Sequence, residues 1–114
     1  MTSPNRKDHL YRITVEELNA EQGDEEGKEH TTVQAFEFSL QDREDLFKAV
    51  ESIKAGSGLE ADQATKVAVA IRLLGPLMMK DRKHPLFEDF FPHLKSFIQH
   101  LKQTIKTSIE RAIG

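Results

Sequence analysis

The chain has 114 residues, no cysteine and a net charge of −3. That length sustains one core without staples. The missing cysteines exclude a disulfide framework, a thiol nucleophile and a thiolate metal site, and they fit a reducing, cytoplasmic setting. Thr2 to Asp8 is polar, with no apolar stretch of the kind a signal peptide needs. The longest apolar run, Val67 to Met79, falls short of the about 20 residues that span a bilayer and carries Arg72. No membrane association is expected.

Charge is unevenly distributed. Residues 1–79 hold 9 basic and 15 acidic side chains, whereas residues 80–114 hold 7 basic and 4 acidic, with three of the five histidines. This split permits an anionic partner for the C-terminal third. It equally permits attraction between the two halves, within the fold or between subunits.

Residues 1–8 read as a flexible N-terminus and 9–114 as one α+β domain. From His9 to Leu18, Tyr11, Ile13 and Val15 alternate with Arg12, Thr14 and Glu16, the period-two pattern of a strand. Asn19 to His30 holds two glycines among many acidic residues and reads as a solvated loop. Thr31 to Ser39 reads as a second strand, so an antiparallel hairpin follows, with a loop longer than usual. Ser39 and Asp42 are both plausible N-caps for a first helix running to about Ala55. Its apolar stripe is Leu46, Phe47, Val50 and Ile53, and Gly56-Ser57-Gly58 stops it.

A second helix starts near Glu60 to Asp62. Ala64, Val67, Ala68, Ile71, Leu74, Gly75 and Met78 form its inner face. Gly75-Pro76 should kink or divide it, because proline lacks the N–H and clashes with the preceding turn. Pro85 ends that helical stretch by disfavouring the helical region at His84, and Leu86 to Phe91 reads as one short helical turn. Pro92 suits the first position of a third helix. If that helix reaches Ile113 it spans about 33 Å, with Leu94, Phe97, Ile98, Leu101, Ile105, Ile109 and Ala112 on one face and Lys95, Lys102, Lys106 and Arg111 on the other. The predicted architecture is a β-hairpin packed against three helices, in the order β-β-α-α-α. A lone hairpin leaves two open edges, and pairing of one edge with a second copy is the expected route to a homodimer.

Several strings in this chain resemble a known family: His9-Leu10-Tyr11-Arg12-Ile13-Thr14, Phe36-Glu37-Phe38, Asp45-Leu46-Phe47 and, most specifically, Arg82-Lys83-His84-Pro85-Leu86-Phe87. The family is one of short bacterial proteins known only as a domain of unknown function. The resemblance covers roughly Asp8 to Leu101. It implies a compact α+β domain in bacteria and no activity, substrate or cofactor. The chain departs from the family's pattern in a longer, more acidic loop at Asn19–His30 and in a last helix that runs past the family's end.

The segment Lys80 to Phe87 draws most attention as a contact site. Arg82 can give two parallel hydrogen bonds to a carboxylate or phosphate, Lys80 and Lys83 supply point charges, and His84 a switchable donor. Its structural role would be that of a helix end, where cations meet the negative end of the helix dipole and contribute about 0.3–1 kcal/mol each. With Lys95 and Lys102 on the last helix, these residues form the candidate contact patch. His84, His93 and His100 lack the tight spacing of metal ligands, so no metal site is read. There is no phosphate-binding glycine loop, nucleophile elbow or dinucleotide fingerprint, and no enzyme or cofactor is expected. A strand followed by two helices superficially resembles a ribbon-helix-helix DNA reader, yet the strand offers Gln34 and Glu37 in an acidic neighbourhood, which phosphate would repel. The expectation is a non-enzymatic interaction or regulatory module, with an unknown protein or a second copy as partner. The alternative is an anionic ligand or nucleic acid held by the basic C-terminal third.

Overall fold

The computed structural model describes residues 8–19 and 31–113. The expected flexible N-terminus (residues 1–7 of it) and nearly all of the acidic loop lie outside the described residues. Among them are two strands and four helices: β1 (His9–Leu18), β2 (Thr32–Asp42), α1 (Leu46–Gly56), α2 (Ala61–Lys80), α3 (Pro85–Glu88) and α4 (Phe91–Ile113). They divide into two compact units, residues 1–43 and 44–114.

The first unit is an antiparallel hairpin, as the alternation in both strands predicts. Tyr11, Ile13 and Val15 stand opposite Leu40, Phe38 and Phe36, so one face is apolar; Arg12 and Thr14 stand opposite Ser39 and Glu37 on the other. The ladder slips between Glu17 and Leu18, leaving Val33 as the extra residue of a bulge. Asn19 N donates to Thr31 O at 2.9 Å just beyond it. β2 is longer than expected. Leu40, Gln41 and Asp42 continue the ladder against Tyr11, Leu10 and His9, so neither Ser39 nor Asp42 caps a helix.

The second unit is helical. Asp45 is the true N-cap of α1; its carboxylate accepts from Phe47 N at 2.9 Å and Lys48 N at 3.2 Å. The helix stops as expected: Ser57 is the C-cap and Gly58 takes a φ of 84°, open to glycine without a steric penalty. α2 opens with a reciprocal cap between Glu60 and Gln63. It runs unbroken through Pro76 to Lys80, so the proline is absorbed within one helix instead of dividing it. The short turn expected after Pro85 is a fourth helix, α3, with Pro85 in its first turn. Four helices therefore replace the three predicted.

The core of this unit is built on small residues. Ala64 and Ala68 of α2 are fully buried with Ile53 of α1, and Val50, Val67, Leu101 and Ile105 pack around them. Small side chains let helices approach closely. One such close approach is at Gly56, where a Cβ would lie 2.9 Å from the Cα of Ile105 on α4. Met78 and Leu94 are also buried. Several residues expected on the inner faces are exposed instead: Phe47 at 70%, Ile109 at 51%, Phe97 at 49% and Leu74 at 39%. Phe47 adjoins Leu46, and consecutive helical positions lie about 100° apart, so both cannot face the same core.

Candidate functional site

The six residues of the predicted contact patch fall into three settings. Lys80 closes α2 in the last turn, at the negative end of its dipole. Arg82 and Lys83 sit exposed in the turn that follows, where they line a shallow surface depression together with Met79, Lys80 and Asp81. Asp81 N bonds to Leu77 O at 3.2 Å and His84 N to Asp81 O at 2.9 Å, so the backbone of this corner is held from both sides.

His84 has a structural task. It is the N-cap of α3: its Nδ1 accepts from Leu86 N at 3.0 Å, and its ring lies 5.4 Å from that of Phe87 in a tilted contact. A nitrogen committed to a backbone N–H is not offered to a ligand. His93 and His100 go elsewhere. His93 lines an apolar cleft with Leu74, Phe90 and Phe97, whereas His100 lines a polar hollow beside Gly58 and Arg111. Among the described residues, no three histidine or acidic side chains converge as metal ligands.

Lys95 and Lys102 join Lys80 at a different place, a groove of about 510 Å³ between α2 and α4. α2 contributes Arg72, Gly75, Pro76, Met79 and Lys80; α4 contributes Phe91, Leu94, Lys95, Ile98, Gln99 and Lys102. Leu94 is buried, Phe91, Ile98 and Pro76 are half-buried, and Met79 is exposed, so the interior is an apolar surface that water reaches. All four charged residues around it are cations. Lys80, Lys95 and Lys102 are exposed, and among the described residues none of them forms an ion pair. Glycine at position 75 keeps the α2 wall low; a Cβ there would come within 4.0 Å of Ile98 Cδ1.

Arg72 was missing from the predicted patch. Its signal in the sequence is that it interrupts the apolar run Val67 to Met79. A charge in such a run lies where the helix turns outward, and eight residues separate it from Lys80, close enough to two turns to place both on one side of α2. The apolar contribution of Met79 and Pro76 is harder to read, because both also fit the interior of a helix bundle.

The described part of the chain is thus a small α+β protein, a two-stranded antiparallel hairpin followed by helices, with an apolar groove of cationic sides between α2 and α4. No described helix is long and apolar enough to cross a membrane. The model of the family described as DUF3861, a domain of unknown function, matches residues 9–103, and the chain belongs to that family. The chain is also similar to a protein of unknown function from Pectobacterium atrosepticum, known from a crystal structure. The two share 30% sequence identity and a TM-score of 0.64, over 83% of this chain and 97% of that one. No curated protein matches significantly.

Proposed function

We propose that this protein is a non-enzymatic interaction or regulatory module of the bacterial cytoplasm, and that the α2–α4 face is where its partner docks. The observation that carries this reading is the groove. An apolar, water-exposed surface with Arg72, Lys80, Lys95 and Lys102 around it has the character of a docking site, an apolar centre within a polar rim. Lys80, Lys95 and Lys102, which form no ion pair among the described residues, leave positive potential available to an acidic partner. The absence of cysteine supports the cytoplasmic setting. The corner at Arg82 and Lys83 extends the same positive surface; His84 belongs to its scaffold.

The test is capture from native lysate by wild type and by Lys80→Glu/Lys95→Glu, with bound protein and nucleic acid both identified. A protein partner retained at high salt by wild type and lost by the variant supports the module. Capture of nucleic acid that vanishes as salt rises supports the alternative, an anionic ligand or nucleic acid on the basic C-terminal third.

A homodimer has its own support. Val15, Phe36 and Phe38 on the apolar face of the hairpin are all more than 40% exposed, and a two-stranded hairpin is marginal in water by itself. Edge pairing with a second copy would give a four-stranded sheet. Sedimentation equilibrium decides it: a monomer across the micromolar range removes this reading.

A further inference from the structure

We infer that the α2–α4 groove takes an acidic amphipathic helix of the partner, its apolar stripe on Met79 and Ile98 and its flanking carboxylates on the cations of the two walls. The inference rests on the reading of this face as a docking site and specifies what docks.

The argument comes from how the charge is spread. Lys95 and Lys102 lie seven residues apart on α4, about 10.5 Å along its axis, and Lys80 stands across the groove at the end of α2. A single phosphate or carboxylate headgroup reaches one or two of these cations and leaves the others unanswered. A helix laid along the groove presents acidic side chains on both flanks, with positions i and i+7 separated by about 10.5 Å. That repeat matches the charge spacing on the α4 wall. The apolar residues of such a helix, at i, i+3, i+4 and i+7, form the stripe by which helices enter grooves. Those side chains would cover Met79, which is exposed, and Ile98, half-buried beside the low wall at Gly75. Nucleic acid answers the charge but not the apolar interior, because a phosphate backbone has nothing to bury on Met79 and Ile98.

The experiment measures binding of synthetic helical peptides to the full chain by fluorescence anisotropy. One peptide carries leucines at i, i+3, i+4 and i+7 with glutamates on both flanks; a second has lysines in place of the glutamates; a third keeps the glutamates and has serines in place of the leucines. The glutamate-flanked peptide should bind wild type. It should lose about tenfold or more on Lys80→Glu/Lys95→Glu, which should in turn gain affinity for the lysine-flanked peptide. Met79→Gln, a neutral polar replacement at an exposed position, should weaken the leucine peptide and leave the serine peptide unaffected. Serine and leucine peptides binding equally well would overturn the helix, leaving an anion-binding surface only. If no peptide binds but a lysate protein is still captured and lost with Lys80→Glu/Lys95→Glu, the acidic helix is wrong and the docking face stands. If neither peptide nor lysate protein binds, both fall.

Discussion

The hairpin and the helical unit are held together in different ways. In the hairpin the ladder from His9↔Asp42 to Glu17↔Gln34 is unbroken, yet most side chains of both strands remain in contact with water, Phe36 at 60% exposure among them. Its order comes from backbone hydrogen bonds and from cross-strand pairs such as Ile13–Phe38. The helical unit reverses this. Ala64 and Ala68 are wholly buried, Met78 nearly so, and α1 meets α4 at backbone distance. One unit is specified by pairing and the other by packing, so the same truncation to alanine should cost very different amounts in the two.

Substitutions sharpen that contrast, with urea unfolding as the common measurement. Met78→Ala opens a cavity in a filled interior and should cost about 3 kcal/mol. Gly56→Ala forces a methyl group into the backbone of Ile105 and should cost about 2 kcal/mol by parting α1 from α4. Asp45→Ala removes the acceptor for two backbone N–H groups and should cost about 1 kcal/mol. Phe38→Ala removes one cross-strand pair from an exposed face and should cost about 0.5 kcal/mol. If Phe38→Ala instead costs as much as Met78→Ala, the hairpin face is covered in solution, and sedimentation of wild type and variant would show whether a second copy covers it. Lys80→Glu/Lys95→Glu touches only exposed cations that form no ion pair among the described residues, and should change stability by less than about 0.5 kcal/mol while abolishing partner capture. A large stability loss there would mean that these lysines serve the fold.

Local patterning carried the hairpin and the main helical faces, and cross-strand partners decided what it missed. Leu40-Gln41-Asp42 has no strong strand signal, and Asp42 looks like a helix cap. It is extended because Tyr11, Leu10 and His9 stand opposite, information that lies thirty residues away. The helix start then moves to Asp45, the next aspartate beyond the ladder. The stripe on α1 overreached at Phe47 because a neighbouring residue, Leu46, already faces the core. At the site, the sequence supplied Lys80, Lys95 and Lys102 as charges without showing that they share a groove. Their juxtaposition depends on how α2 and α4 pack. The capping role of His84 was likewise unread, because its bond from Leu86 N is local but becomes visible only once α3 exists.

The match to the family ends at residue 103, but α4 continues to Ile113. Ile105 lies in the stretch beyond, packed on the cluster of Ile53, Ala64 and Ala68 and closing over Gly56. A shortened version cut at the family boundary would keep every recognisable motif and lose the residue that seals the interior. Ile105 therefore acts as a lock for a core assembled upstream, and the limits of recognisable kinship in this chain fall short of the packing that closes its interior.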